Sequence, residues 1–160
     1  MRLEAGWLRD FAKRYTGAWC SQNASRVAGF FALNGSLSVN GAPAVGRSAI
    51  TEVAQGFMTA FPDMELLMDG VAIQGGSAVY HWTFIGTNTG PGGTGHRIRF
   101  SGYEMWKFGE DGLIAESQGH FDAADYQRQL RRGETSETGN SKLGREGTMY
   151  RALMRSKSSP

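Results

Sequence analysis

The sequence has little cysteine, little proline and no long apolar run. Its 160 residues include one cysteine, Cys20, and four prolines. A single thiol cannot form an internal disulfide, and it has no second thiol with which to build a zinc or redox motif. No apolar run approaches the roughly 18 residues that a membrane-crossing helix needs. The N-terminal segment carries charges where a signal peptide needs an uninterrupted apolar stretch. We therefore expect a cytoplasmic protein with no membrane partner.

Spacings typical of metal and phosphate sites are also missing. His, Asp and Glu do not occur as the close pairs of a zinc site or as the oxygen-rich loop of a calcium site. The glycine-rich segment at residues 88–96 precedes a strand-like run, whereas a phosphate cradle needs a helix after it. The segment is therefore predicted to be a hairpin tip or a pocket rim. We expect no metal and no other cofactor.

The charge distribution argues against a nucleic-acid partner. The formal net charge is +2, and no basic stripe interleaved with aromatic residues runs through the sequence. The basic surplus comes mainly from residues near the end of the chain, namely Lys142, Arg145, Arg151, Arg155 and Lys157.

Length and composition predict one folded domain followed by a tail. Hydrophobic residues make up 40% of the chain and charged residues 20%, which is typical of a globular domain. We place the domain at residues 1–133 and a polar, flexible tail at residues 134–160. The tail regains apolar residues only at Met149, Tyr150, Leu153 and Met154, so it is alternatively an interaction peptide.

Helical periodicity predicts three helices and one further short helix. Leu8, Phe11, Tyr15 and Trp19 recur at helical spacing on one face. The predicted helices span residues 6–19, 47–61 and 122–132, with a short one after Asn23 or Ser25 that carries Val27, Phe30 and Phe31.

Four strand-like runs separated by short turns predict an antiparallel meander. They span residues 64–73, 78–87, 97–108 and 113–121, and a brief strand at residues 37–40 precedes a loop at residues 41–46. The order of elements predicts an α+β fold in which three N-terminal helices pack on one face of a curved antiparallel sheet, with a short C-terminal helix after it. Such a sheet and its helices enclose a cone.

Several motifs together carry a family resemblance. They are Tyr15 with Trp19, Val45-Gly-Arg-Ser-Ala-Ile50, Trp82-Thr-Phe-Ile-Gly-Thr-Asn-Thr-Gly90, Phe108-Gly-Glu-Asp-Gly-Leu-Ile-Ala-Glu116, and Phe121-Asp122 through Arg128-Gln-Leu130. Over roughly residues 8–133 the chain resembles SnoaL-like or ester-cyclase-like proteins, which are polyketide cyclase-related members of the nuclear transport factor 2-like superfamily.

The resemblance implies a cone-shaped, cystatin-like fold, often a homodimer, whose internal cavity takes a small apolar organic ligand. Related proteins include polyketide cyclases, ketosteroid isomerases, epoxide hydrolases, dehydratases and proteins with no known chemistry. By position, the cyclase histidine falls at Met105. The cyclase aspartate falls at Gly119 or, with a gap, at Asp122.

The isomerase pattern of the same superfamily is matched in part. Tyr15 resembles its tyrosine, and Glu104 falls at or beside its acid position. The position of its base falls near residues 39–41, where Asn40 is the polar residue.

Each candidate residue has a structural interpretation beside a functional one. His81 and His120 lie in strands and can be general acids or bases or hydrogen-bonded structural histidines, and sequence does not fix which face they occupy. Asp122 resembles a helix N-cap as well as a base. The catalytic candidates are His81, Glu104, His120 and Asp122, and the substrate-binding candidates are Tyr15, Trp19, Asn40, Met105 and Trp106.

Three functions follow as hypotheses. The first is a cofactor-independent acid/base enzyme, a cyclase, isomerase or dehydratase, acting on a small apolar carbonyl or polyketide-like compound. The second is a non-catalytic ligand-binding protein. The third is a module that dimerises through its open sheet face and recruits a partner through its tail.

Overall fold

The computed structural model describes residues 2–134. This part contains, in chain order, α1 (Ala5–Cys20), α2 (Ala24–Ala28), β1 (Phe31–Val39), β2 (Ala42–Val45), α3 (Arg47–Ala60), β3 (Glu65–Gln74), β4 (Ser77–Thr87), β5 (Arg97–Phe108), β6 (Ile114–Phe121) and α4 (Ala123–Arg132). No helix in this range is long and apolar enough to cross a bilayer. The predicted tail lies outside the described residues apart from Glu134.

The strands form one sheet in the order β2-β1-β6-β5-β4-β3. Strands β3 to β6 pair as the antiparallel meander that the sequence predicts. The pairing of β1 with β6 is parallel. A parallel pair needs a long connection, and here α3 and the meander lie between the two strands. The α+β fold with a curved sheet is confirmed, and one of its strand pairs departs from the antiparallel expectation.

The first hairpin is the main difference from the predicted elements. Asn40 and Gly41 both have positive φ, 49° and 91°, and they join β1 to β2 as a two-residue turn. An Asn-Gly pair is favoured in such turns because both central residues need positive φ. Strand β2 therefore occupies part of the predicted loop, and Pro43 is tolerated there because β2 is an edge strand.

The second helix is shorter and β1 is longer than predicted. Helix α2 ends at Ala28, and Phe31 begins β1 instead of lying on the helix. The register of β1 shifts between Phe31 and Ser36, and Leu33 is 76% exposed there. This irregularity interrupts the alternation that marks a strand, so the sequence predicts only its last part.

The core lies between the helices and one face of the sheet, which we call the inner face. Helix α1 buries its predicted apolar face against this layer. Asp122 caps the start of α4: its Oδ1 accepts a hydrogen bond from the Asp125 backbone N at 3.0 Å, so the predicted N-cap is confirmed. Tyr126 on α4 packs on Phe100 with ring centroids 4.5 Å apart, which fixes the helix over one end of the sheet.

Gly102 gives the inner face its closest packing. A Cβ added to Gly102 would lie 2.4 Å from the His120 carbonyl oxygen and 2.5 Å from a ring carbon of Trp82. The indole of Trp82 thus lies over the position where a side chain would be. Any larger residue must displace both the ring and the β6 backbone.

We expect Gly102→Ala to lower the free energy of unfolding by about 1 to 3 kcal/mol, the usual cost of overpacking. The matched control is Gly76→Ala, because Gly76 has an ordinary φ and open space around its Cβ position. Urea unfolding measures both. Equal stability of the two variants would contradict this packing.

Candidate functional site

A cavity of about 60 Å³ lies between the inner face of the sheet and helices α1 and α3. Its wall is apolar apart from one carboxyl side chain. The lining residues are Trp19, Leu37, Val39, Val53, Phe57, Leu66, Trp82, Phe84, Phe100, Glu104, Gly119 and Phe121.

Two glycines lie next to that carboxyl group on the inner face. Gly119 on β6 pairs directly with Glu104 on β5, and Gly102 precedes Glu104 by two positions on the same face of β5. A Cβ on Gly119 would lie 3.5 Å from Cγ of Glu104 and 3.3 Å from the Ser38 carbonyl oxygen. The missing side chain of Gly119 therefore leaves the front of Glu104 open to the cavity.

Three donors from different elements converge on one oxygen of Glu104. Its Oε1 accepts hydrogen bonds from the Tyr15 hydroxyl at 2.9 Å, from Trp106 Nε1 at 2.8 Å and from the Ser117 hydroxyl at 2.8 Å. Glu104 is only 7% exposed. None of the three bonds reaches Oε2, so this oxygen is the one that a molecule in the cavity can use.

Aromatic packing holds these donors in place. The ring of Trp106 stacks on Tyr80 with centroids 4.7 Å apart, and the edge of Tyr15 meets it at 5.0 Å. The Tyr80 hydroxyl is in turn hydrogen-bonded to Thr16 on α1. Rings packed from two sides cannot rotate freely, so the indole N–H stays directed at the carboxyl group.

Burial shifts the pKa values of Glu104 and Tyr15. Desolvation raises the pKa of Glu104 above its usual range, and the hydrogen bonds from Trp106, Ser117 and Tyr15 only partly oppose this rise. Burial and the neighbouring Glu104 also hold the pKa of Tyr15 well above 10. Tyr15 therefore remains a donor at every ordinary pH. Glu104 can exchange a proton nearer neutrality than an exposed glutamate can.

Four of the residues predicted from sequence meet at this site. Glu104 and Trp19 line the cavity. Tyr15 and Trp106, predicted to bind substrate, lie behind the carboxyl group and hold its Oε1. They position Glu104 and are absent from the cavity wall.

Three other candidates, His81, His120 and Met105, lie on the outer face of the sheet, where Tyr103 stands between the two histidines. His81, Tyr103 and His120 are paired across β4, β5 and β6, with ring centroids 6.1 and 5.1 Å apart. They alternate with the inward-facing Glu104, and Met105 likewise lies one position from it. The structure therefore separates His81, His120 and Met105 from the cavity by the thickness of the sheet.

The two remaining candidates each accept a hydrogen bond from a backbone N–H group. Asn40 Oδ1 accepts a hydrogen bond from the Phe121 backbone N at 2.9 Å, which ties the first hairpin to the end of β6. Asp122 caps α4. Neither is part of the cavity wall.

Sequence reasoning did not single out Ser117, Trp82 or the space at Gly119 as parts of a site. The pattern that could have identified them is the alternation of inward-facing and outward-facing residues along β4, β5 and β6. Residues paired across neighbouring strands share a face. If Glu104 faces inward, then its partner Gly119 and the nearby Ser117, which pairs with Trp106, must also face inward. Within residues 2–134, no three His, Cys, Asp or Glu side chains converge as metal ligands.

Comparison with known proteins agrees with this architecture. The sequence profile of the SnoaL-like polyketide cyclases matches residues 9–130. No curated protein sequence matches the chain significantly. The solved structure of TsrD from Streptomyces laurentii is similar, with a TM-score of 0.70, 20% identity, and coverage of 81% of this chain and 98% of that one.

Two further solved structures share the fold. A phenazine biosynthesis-related protein from Pseudomonas aeruginosa has a TM-score of 0.63 and 16% identity, covering 88% of this chain and 93% of its own. A protein with a ketosteroid isomerase-like fold from Catenulispora acidiphila, in complex with trimethylamine, has a TM-score of 0.67 and 14% identity, covering 76% and 92%. These likenesses confirm the predicted nuclear transport factor 2-like fold.

The raised pKa of Glu104 predicts a pH-dependent stability. The folded protein binds this proton more tightly than the unfolded chain, so wild-type stability falls as pH rises from the usual value of 4.5 through the raised value. Glu104→Gln has no such titration. Urea unfolding of both proteins from about pH 4 to about pH 8 should therefore increasingly favour the variant as pH rises. A stability difference that does not change with pH would contradict the raised pKa.

Proposed function

Because the chain belongs to the SnoaL-like polyketide cyclase family, we propose that it is a cofactor-independent acid/base enzyme that acts on a small apolar carbonyl compound. The observation that carries this proposal is the single carboxyl group of Glu104 in an otherwise apolar cavity. Its pKa is raised by burial, and a base with a pKa near the working pH is the most effective proton carrier.

The hydrogen-bond donors around Glu104 give its two carboxylate oxygens different roles. Oε1 is held by Tyr15, Trp106 and Ser117. Oε2 takes the proton from the carbon next to the substrate carbonyl, and the C–H electron pair moves into a C=C bond while the carbonyl π electrons move onto oxygen. The substrate becomes an enolate, and Glu104 becomes neutral.

The fate of the enolate defines the reaction class. Return of the proton from Oε2 to another carbon gives isomerisation. Attack of the enolate carbon on a second carbonyl of the same molecule gives cyclisation, and loss of a β-hydroxyl group, protonated by Glu104, gives dehydration. In each case the proton that Glu104 accepts is returned, so no external reagent is consumed.

Exchange of α-protons for deuterium tests the proton transfer without knowledge of the natural substrate. In deuterium oxide, we expect the wild-type protein to accelerate exchange of cyclopentanone α-protons, measured by proton NMR. Glu104→Gln removes the base and should lower the rate by at least about a hundredfold, in the range typical of general-base catalysis.

His120→Gln is the matched control, since His120 was a catalytic candidate and lies on the outer face. We expect it to exchange at the wild-type rate. Loss of exchange in His120→Gln with retention in Glu104→Gln would overturn the assignment to Glu104.

A non-catalytic ligand-binding protein is the second candidate. Among the residues that line the cavity, Glu104 is the one titratable side chain, so the wall offers a ligand no second acid or base. A binding protein would be stabilised against heat by cyclopentanone without exchanging its protons. Gly119→Val, which fills the cavity, identifies the binding site, because it should remove that stabilisation.

We further propose that the outer face of the sheet contacts a second copy of the chain, as the family resemblance implies. This face carries Leu67, 40% exposed, and Tyr103, 38% exposed, beside His81. The two apolar side chains lie on β3 and β5, on either side of β4, and burying them against a second copy would remove apolar area from water.

Sedimentation tests this association. We expect the wild-type protein to sediment as a dimer and Tyr103→Glu to shift it toward the monomer, because a buried unpaired carboxylate is costly. A wild-type protein that sediments at the monomer mass of 17.4 kDa at high concentration would contradict the proposal.

A further inference from the structure

The three donors to Oε1 of Glu104 differ in one chemical respect. The hydroxyl groups of Tyr15 and Ser117 can each donate a hydrogen bond or accept one, because a hydroxyl hydrogen rotates to suit its neighbour. The indole N–H group of Trp106 can only donate. Among these three contacts, the one from Trp106 at 2.8 Å therefore has a fixed direction.

The indole ring of Trp106 has no room to turn away from Glu104. Trp106 is fully buried, and its ring lies nearly parallel to that of Tyr80, with an interplanar angle of 15° and centroids 4.7 Å apart. Tyr15 and Phe11 meet the same ring edge to face, at 5.0 and 5.5 Å. Trp106 and Glu104 lie two positions apart on β5, so their side chains share the inner face. The N–H group is thus held against Oε1.

A donor that cannot accept makes the two oxygens of Glu104 unequal when the carboxyl group is neutral. With the proton on Oε2, Oε1 is a carbonyl oxygen and remains a good acceptor for the indole N–H group. With the proton on Oε1, that oxygen becomes a poor acceptor, and the buried N–H group loses most of its bond. The hydroxyl groups of Tyr15 and Ser117 adapt to either form, since each can turn to accept a hydrogen bond. Of the three donors, Trp106 is the one that favours a proton on Oε2.

We propose that Trp106 is a positioning residue: its N–H group keeps Oε1 unprotonated and directs the proton of neutral Glu104 to Oε2. None of the three donors holds Oε2. A proton on Oε1 would instead be turned toward Tyr15 and Ser117, which are fully buried and are not part of the cavity wall. This inference rests on the proposed function only where it concerns catalysis, because the location of the proton is a property of the free protein.

Infrared spectroscopy locates the proton, because hydrogen bonds lower the stretching frequency of a C=O group. In the wild-type protein the C=O oxygen is then Oε1, which accepts three hydrogen bonds, so we expect one low-frequency band for neutral Glu104. The band is assigned in isotope-labelled protein by its loss in Glu104→Gln. A high-frequency band, typical of a C=O group without hydrogen bonds, would place the proton on Oε1 and overturn the proposal in the wild-type protein itself.

Trp106→Phe removes the N–H group and keeps an aromatic ring beside Tyr80. We expect a second band at higher frequency in this variant, because the proton can then also occupy Oε1 with a hydroxyl group as its acceptor. Loss of a donor to the ionised carboxylate should also raise the pKa of Glu104 by about one unit. The pH profile of cyclopentanone α-proton exchange should move to higher pH by the same amount.

Two variants serve as matched controls. Ser117→Ala also removes a donor, so it should raise the pKa of Glu104, but it should keep the single low-frequency band because Trp106 remains. Trp82→Phe makes the same replacement at an indole whose Nε1 has no hydrogen-bond partner within the described residues, and it should change neither the band nor the pKa. A second band in Ser117→Ala, or none in Trp106→Phe, overturns the role of Trp106.

Activity separates this inference from the proposed function. If the band and the pKa of Glu104 respond as expected but the wild-type protein exchanges no ketone protons, the proposed function is wrong and the placement of the proton stands. If exchange occurs but Trp106→Phe changes neither the band nor the pH profile, Glu104 remains the base and the positioning role of Trp106 is wrong. Should Trp106→Phe fail to fold, the wild-type band decides between the two oxygens.

Discussion

The burial of one carboxyl group, Glu104, is the constraint on which the rest of the site depends. A carboxyl group removed from water needs hydrogen bonds, and here α1, β5 and β6 each supply one donor to the same oxygen. These bonds tie the first helix to the middle of the sheet. They also leave the second oxygen for chemistry, so one arrangement serves both the fold and the proposed reaction.

The cavity depends as much on absent side chains as on those present. Gly119 leaves open the space across from Glu104, and Gly102 lets the Trp82 ring pack against the β5 backbone. The surrounding aromatic rings exclude water, which raises the pKa of Glu104. Small size and apolar walls together favour a compact ligand whose few polar atoms meet Glu104.

Periodicity predicted most of the fold, because helices and regular strands repeat their burial pattern. It predicted too little of β1, where a register shift around Leu33 breaks the alternation. It also missed the Asn40-Gly41 turn and β2, because Gly41, Pro43 and Gly46 together indicated a loop. For the site, sequence could name Tyr15, Trp19, Glu104 and Trp106. It could not separate them from His81, His120 and Met105, because strand parity depends on pairing register. Ser117 and Gly119 become visible only when that register is known.

The central claim is that Glu104 is a buried carboxyl group whose raised pKa suits it to move protons within the cavity. Its most direct test is an NMR titration of the Glu104 carboxyl carbon in isotope-labelled protein, assigned by its loss in Glu104→Gln. The account predicts a pKa above the usual 4.5 and a change in that resonance when a ketone occupies the cavity. Titration at or below the usual value, with no response to the ligand, would contradict it.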